Sequence, residues 1–165
     1  MDDFDMDVSK TTVKLSINGK TVQAEIEPRM LLVEFIRHVA ELTGTHIGCD
    51  TSYCGACTVM IDGRAVKSCT HLAIQAQGKS IQTVESLADP DGTLSALQKC
   101  FSENHALQCG FCTPGFLIAS TALLAENPDL DEFDVRKGLA GNTCRCTGYT
   151  PIVDAVLAAS ELRKS

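Results

Sequence analysis

The sequence predicts an α+β protein with two small domains, a strand-rich first half and a helical second half. Segments rich in β-branched residues, separated by Asn-Gly or Asp-Gly pairs, indicate β-hairpins up to about residue 84. Helical periodicity with prolines at helix starts dominates the rest of the chain. We therefore predict a flexible acidic tail at residues 1–10, a strand-rich domain at 11–86 and a helical domain at 87–165.

The first domain is predicted to open with a hairpin over residues 12–27. A helix follows in MLLVEFIRHVAEL, whose apolar residues recur at helical spacing. A loop with three cysteines then leads into a second hairpin that turns at Asp62-Gly63, and residues 80–84 form a candidate last strand.

The second domain is predicted to be a small helical bundle. Pro114 and Pro151 suit the first turn of a helix, whereas Asn127-Pro128 suits a helix end. The predicted helices span residues 93–104, 114–126, 131–140 and 151–163.

Composition and charge restrict the class of protein. The chain has 165 residues, is 44% hydrophobic and carries a net charge of -7. Nucleic acid is not expected as a partner, because phosphate binding needs clustered Lys and Arg. No apolar run is long enough for a membrane span, and the acidic start MDDFDMD lacks the features of a secretory signal. A cytoplasmic location is therefore expected.

Cysteine is the most informative residue type in this sequence. Intracellular proteins rarely use a disulfide framework, and closely spaced cysteines in such proteins usually bind metal or take part in catalysis. The nine cysteines form two groups of four with one left over: Cys49, Cys54, Cys57 and Cys69; Cys109, Cys112, Cys144 and Cys146; and Cys100.

The first group has the C-x4-C-x2-C spacing of plant-type 2Fe-2S clusters, followed later by a fourth cysteine. Gly48 and Gly55 would let backbone amides approach the sulfurs, and the hairpin before Cys69 would return that residue to the loop. Zinc is the alternative, but a zinc site favours paired C-x2-C hooks or mixed Cys and His ligands. The spacing therefore favours the iron cluster.

The second group joins a C-x2-C pair to a C-x-C pair and is less diagnostic. Each pair lies just before a predicted helix, whose N-terminus would offset the negative charge of an iron-sulfur core. Zinc and a redox dithiol are alternatives on spacing alone. Cys100 falls in a helical pattern beside Leu97 and Phe101, so we expect a buried structural thiol.

No nucleophile with its base and no phosphate-binding glycine loop is recognisable, so we expect no substrate chemistry on this chain. Three motifs, GCDTSYCGACTVMIDGRAVKSC, LQCGFCTPG and GNTCRCTGY, resemble the iron-sulfur subunits of the molybdenum hydroxylases, the xanthine oxidase family. The resemblance covers nearly the whole chain. It implies a β-grasp, ferredoxin-like domain followed by a four-helix domain, each with one 2Fe-2S cluster, and so favours iron at the second group.

The resemblance also implies partners. In this family a large subunit holds a molybdenum-pterin cofactor and a medium subunit usually holds FAD. This chain would relay electrons from molybdenum through the second cysteine group to the first, and on to FAD, within a dimer of heterotrimers. Gln108 and Cys146 match positions that contact the pterin in the family. A diffusible ferredoxin and a zinc-stabilised interaction module are the competing functions, although a diffusible carrier needs only one cluster.

The resemblance extends to the substrate of the complex. Within the family, TSYCGACTVMIDGRAVKSCTHLA and DPDGTLSALQ are most similar to the small subunits of aerobic molybdenum and copper carbon monoxide dehydrogenases. Enzymes that oxidise aldehydes or N-heterocycles share the cysteine motifs and are the alternative.

Overall fold

The computed structural model describes residues 9 to 164, and the expected acidic tail lies almost entirely outside them. The described chain combines a five-stranded mixed sheet with helices, which confirms the predicted mixture of strands and helices. The strands are β1 (Thr11–Ile17), β2 (Lys20–Ile26), β3 (Thr58–Ile61), β4 (Arg64–Lys67) and β5 (Ser80–Gln82). The helices are α1 (Leu32–Glu34), α2 (Ala96–Glu103), α3 (Thr113–Glu126), α4 (Glu132–Gly138) and α5 (Thr150–Lys164). Short 3-10 turns occupy Ser68–Thr70, Ala73–Ala76 and Val84–Ser86.

The sheet has the strand order β2-β1-β5-β3-β4. The two predicted hairpins are the antiparallel pairs β1–β2 and β3–β4. β5 joins them, because it runs parallel to β1 and antiparallel to β3. Both hairpin turns use positive φ angles, 51° and 76° at Asn18-Gly19 and 48° and 81° at Asp62-Gly63, as a type I′ turn requires.

The helix beside the sheet is shorter than its apolar pattern predicts. α1 has one turn and continues as a π-helical turn at Phe35–Val39, in which Ala40 N–H donates to Phe35 O at 3.0 Å. Leu32, Phe35 and Ile36 are fully buried in the core of the sheet. The predicted inward face is therefore correct, although the backbone geometry differs.

Arg37 ties this helix to the segment that leads into the cysteine loop. Its side chain is half-buried. Its guanidinium donates to the carbonyl oxygens of Thr43 and Thr45, each at 2.7 Å. The start of the cysteine loop is thereby fixed against α1.

The helices of the second half lie within a few residues of their predicted positions. α2 begins at Ala96 because Ser95 caps it: Gln98 N–H donates to Ser95 Oγ at 3.4 Å, and Ser95 N–H donates to Gln98 Oε1 at 2.9 Å. Asp131 caps α4 by accepting from Asp134 N–H at 2.8 Å. These helices enclose a separate apolar core that includes Phe101, Phe116, Val135, Ile152 and Val156. No helix in the described part of the chain is long and apolar enough to cross a bilayer.

The two halves meet where α3 lies against β3. Met60 of β3 forms a small apolar cluster with Ile118 and Ala122 of α3. At the start of the same helix, a Cβ on Gly115 would lie 2.1 Å from Gly55 O. The helix can therefore reach the cysteine loop only because residue 115 has no side chain.

Candidate metal centres

The first cysteine group lies mainly on the loop before β3. Asp50, Ser52 and Gly55 have positive φ angles of 53°, 58° and 74°, and these left-handed residues coil the loop tightly. The cysteines differ in exposure: Cys57 and Cys69 are buried, whereas Cys49 and Cys54 are half-buried. The group therefore has a buried side and a side nearer to the surface.

The β3–β4 hairpin returns Cys69 to this loop, as its position in the sequence predicts. The N–H and the hydroxyl of Ser68 donate to Cys57 O at 3.3 Å and 2.7 Å. Ser52 N–H in turn donates to Cys69 Sγ at 3.4 Å. These hydrogen bonds thus hold Cys69 and its neighbour Ser68 against the loop that carries the other three cysteines of the group.

Backbone N–H groups donate to sulfur in this loop. Cys49 Sγ accepts from Cys54 N–H at 3.3 Å and from Thr51 N–H at 3.5 Å. These hydrogen bonds, led by the one from Cys54, lower the pKa of the Cys49 thiol to about 6, whereas burial raises the pKa of Cys57 to about 11. A Cβ on Gly48 would lie only 3.0 Å from Cys54 Sγ, so the glycine keeps the loop open around the sulfurs. The loop therefore favours thiolate, the form that binds iron, at Cys49, whereas burial raises the pKa of Cys54.

The second cysteine group comes from two separate loops, one before α3 and one before α5. Cys109 and Cys146 are exposed, and their Sγ atoms lie 3.5 Å apart. Cys112 and Cys144 are half-buried neighbours. Burial is the main cause that raises the pKa of Cys112 to about 12, and the nearby Cys144 side chain raises it further. Each loop thus contributes one sulfur to each of two neighbouring pairs.

The loop after Cys144 surrounds its sulfur with donors. Cys144 Sγ lies 3.2 Å from Thr147 Oγ1 and accepts from the N–H groups of Cys146 and Thr147, each at 3.4 Å. Burial acts to raise the pKa of Cys144, but the hydrogen bonds from Thr147 and Cys146 outweigh it and lower the pKa. The Cys144 N–H donates to the hydroxyl of Tyr149 at 3.0 Å. This loop therefore favours thiolate at Cys144, as the first loop does at Cys49.

The two groups lie side by side. One cavity of about 540 Å³ is lined by Cys54 of the first group and by all four cysteines of the second. Thr143 N–H donates to Cys54 O at 2.9 Å, and the buried Asn142 donates through Nδ2 to Gly55 O at 3.0 Å. The residue before Cys144 is therefore hydrogen-bonded directly to a cysteine of the first group.

The donor sets fit two-iron clusters. The sulfurs of the second group lie in pairs, Cys109 with Cys146 and Cys112 with Cys144. Each iron of a 2Fe-2S cluster takes two protein ligands, whereas a zinc site gathers four donors around one ion. The paired sulfurs and the N–H groups that donate to them therefore suit iron-sulfur clusters better than zinc.

The remaining predicted residues have clear positions. Cys100 is buried in the helical core beside Leu97 and Phe101, as expected for a structural thiol. Gln108 is exposed, and its Nε2 donates to Cys146 O at 3.1 Å. The two residues predicted to contact a pterin are therefore neighbours on the surface.

Sequence reasoning missed the polar residues that join the two groups. Asn142 and Thr143 stand just before a cysteine in the sequence, and that position is the one signal that pointed to them. His46 carried no such signal, yet its Nδ1 lies 2.8 Å from Phe111 O and its ring stacks on Phe111 with 4.7 Å between ring centres. These contacts link the loop of the first group to the loop of the second.

Comparisons with known proteins agree on one family. The profile of the 2Fe-2S iron-sulfur cluster binding domain matches residues 15–88, and that of the [2Fe-2S] binding domain matches residues 83–157. Caffeine dehydrogenase subunit gamma of Pseudomonas sp. (strain CBB1) is 44% identical over 164 residues, which cover 96% of this chain and 98% of the relative. The xanthine dehydrogenase iron-sulfur-binding subunit of Escherichia coli O157:H7 is 46% identical over 149 residues, which cover 88% of this chain and 92% of the relative.

A solved structure agrees with the sequence relatives. Quinoline 2-oxidoreductase from Pseudomonas putida 86 matches with a TM-score of 0.89 at 47% identity, covering 94% of this chain and 96% of the matched chain. These relatives are named for caffeine, xanthine and quinoline, and they give no support to the expected likeness to carbon monoxide dehydrogenases. The chain is an oxidoreductase subunit with two 2Fe-2S binding domains, and it belongs to the iron-sulfur small subunits of the molybdenum hydroxylases.

Proposed function

We propose that this chain relays electrons through two 2Fe-2S clusters, from a molybdenum-pterin site on a large subunit to FAD on a medium subunit. The observation that carries this proposal is the contact between the two cysteine groups, in which Thr143 N–H donates to Cys54 O at 2.9 Å. A relay needs two sites that are close together and fixed in position. A diffusible carrier needs only one site, so a second site in direct contact with the first favours the relay.

The proposed ligands are the two groups of four cysteines. Cys49, Cys54, Cys57 and Cys69 hold the first cluster, and Cys109, Cys112, Cys144 and Cys146 hold the second. When bound, such clusters accept and release single electrons. The chain itself supplies thiolates, N–H groups that offset their negative charge, and the backbone contacts that keep the two sites together.

We assign each cluster to its own domain. The first belongs to a β-grasp, ferredoxin-like domain at residues 11–86, and the second to a four-helix domain at residues 87–165. The separate apolar cores of the sheet and of the helices support this division. Following the family resemblance, the assembled enzyme is a dimer of heterotrimers.

Surface exposure supports the proposed direction of electron flow. Cys109 and Cys146 are exposed, and Gln108 is hydrogen-bonded to Cys146 on the same surface. A pterin on the large subunit can therefore approach the second group without any rearrangement of this chain. The first group is reached from the second through Cys54, and it would pass electrons on to FAD.

An N-heterocycle is favoured over carbon monoxide as the substrate of the complex. The relatives described above are named for caffeine, xanthine and quinoline, and each of these compounds has nitrogen in its ring. Substrate would be chosen on the large subunit, so the relay is the same in either case. Assaying the purified complex with quinoline, xanthine and carbon monoxide separates the alternatives.

Metal analysis of the complex tests the relay. The holoenzyme is purified with its large and medium subunits. Apart from any iron bound by those subunits, it should contain about four irons for each copy of this chain and an equal amount of acid-labile sulfide. Its reduced form should show two distinct electron paramagnetic resonance (EPR) signals, and both should appear when substrate is added without an acceptor. Zinc without sulfide, or a single iron-sulfur signal, would contradict the proposal.

A further inference from the structure

We propose that Thr147 tunes the reduction potential of the second cluster through a hydrogen bond from its hydroxyl to the Cys144 thiolate. The inference rests on the proposed function, because it requires a cluster at the second cysteine group. Reduction adds negative charge to a cluster, and a donor to one of its thiolates stabilises that charge. The Thr147 hydroxyl therefore raises the potential and makes the second cluster a better electron acceptor.

The direction of this hydrogen bond follows from the neighbouring contacts. Thr147 Oγ1 lies 3.2 Å from Cys144 Sγ and also accepts a hydrogen bond from Tyr149 N–H at 3.1 Å. The N–H uses a lone pair of the oxygen and leaves the hydroxyl hydrogen free. A metal-bound Cys144 has no proton to donate, so the hydroxyl must be the donor and the sulfur the acceptor.

The loop around these residues holds the hydroxyl in place. Tyr149 is hydrogen-bonded to both residues of the contact. Its N–H donates to Thr147 Oγ1, and its hydroxyl accepts from Cys144 N–H at 3.0 Å. The Tyr149 ring packs edge-on against the buried Phe116, with 6.4 Å between ring centres. Tyr149, whose ring packs at the edge of the helical core, therefore holds both Thr147 and Cys144 in place.

Substitution of Thr147 in the holoenzyme tests the inference. Thr147→Val removes the hydroxyl and keeps the shape of the side chain. In a redox titration followed by EPR, we expect the midpoint potential of the second cluster to shift downward while that of the first cluster stays the same. Thr147→Ser restores a hydroxyl and should return the potential toward its original value.

Thr150→Val is the matched control. Thr150 is exposed, and none of the hydrogen bonds to cysteine sulfur in the described chain comes from its side chain. We expect this variant to leave both potentials unchanged. A purely structural role of the loop would not give a hydroxyl-dependent shift confined to one cluster.

The outcomes separate the inference from the proposed function. Two signals with an unchanged second potential in Thr147→Val would overturn the inference and leave the relay intact. Loss of the second signal in both Thr147→Val and Thr147→Ala would show a role in assembly instead of tuning, and would also overturn it. A missing second signal in the unsubstituted enzyme would contradict the relay itself.

Discussion

The two cysteine groups of this protein depend on very different amounts of tertiary structure. In the first group, three cysteines share one coiled loop, and a hairpin of adjacent strands returns Cys69 to it. In the second group, the two loops are separated in sequence by α3 and α4 and meet only when the helices pack around their common core. The first site is therefore a product of local folding, whereas the second is a product of domain packing. We expect the two sites to respond differently to substitution.

Loss of one ligand should have the largest effect. Serine is not an equal replacement for a cysteine thiolate as a ligand of iron, so Cys112→Ser should abolish or disorder the second cluster and leave the EPR signal of the first unchanged. Cys100→Ser is the control: Cys100 is a buried residue of the helical core that belongs to neither group, so this variant should keep both signals. If both signals survived intact in Cys112→Ser, the grouping of the cysteines would be wrong.

A methyl group at the junction should have the next largest effect. In Gly115→Ala the new Cβ would lie 2.1 Å from Gly55 O, so α3 and the first cysteine loop must move apart. Such overpacking costs about 1–3 kcal/mol of unfolding free energy. We expect a lower Tm and, because the junction touches both loops, altered EPR spectra of both clusters.

Gly141→Ala provides the comparison for this junction variant. A Cβ there would meet only the end of the Lys67 side chain, with Nζ at 3.2 Å, and that flexible side chain can move aside. Its Tm should stay close to that of the unsubstituted protein. Equal stability of the two alanine variants would refute the role assigned to Gly115.

The smallest expected effect concerns an ion pair confined to the helical half. Lys164 Nζ lies 2.5 Å from Asp129 Oδ1. The hydrogen bond from Lys164 is the main cause that lowers the pKa of Asp129, and the positive charge of Lys164 lowers it further. Because the folded pKa lies below the ordinary value of about 4, the stabilisation is present above that value and is lost as the pH falls through the folded pKa. Asp129 is exposed, so Asp129→Asn should lower the Tm at pH 7 by less than Gly115→Ala does.

Salt and acid provide the checks on the ion pair. The difference in Tm between Asp129→Asn and the unsubstituted protein should shrink in high salt, where exposed charges are screened. It should also disappear at a pH below the folded pKa. A difference that persists under both conditions would show that the ion pair is not its cause.

Local patterns predicted the secondary structure well because the signals are carried by neighbouring residues. Asn18-Gly19 and Asp62-Gly63 specify their turns through their own backbone preferences, and both hairpins formed as predicted. The π-helical turn at Phe35–Val39 was missed because its apolar residues are spaced as in an ordinary helix. The start of α2 was misplaced for a similar reason, since the cap at Ser95 decides it.

Contacts across the junction could not be predicted in this way. Asn142 and Thr143 bond to residues 87 and 89 positions earlier in the chain, and no local pattern encodes such a pairing. The spacing of the second cysteine group left zinc open for the same reason, because the pairing of its sulfurs depends on where α3 and α5 lie. The first group was readable because its spacing and its geometry are both local.

In the proposed relay, the missing side chain of Gly115 has a kinetic consequence as well as a structural one. Electrons move between protein-bound centres by tunnelling, and the rate of tunnelling falls steeply as the gap widens. The contact of Gly115 with Gly55 O lets the helix that begins beside Cys112 approach the loop that carries Cys54. In the proposed relay, a hydrogen atom in place of a methyl group at residue 115 shortens the gap between the two cysteine groups and so speeds electron transfer between them.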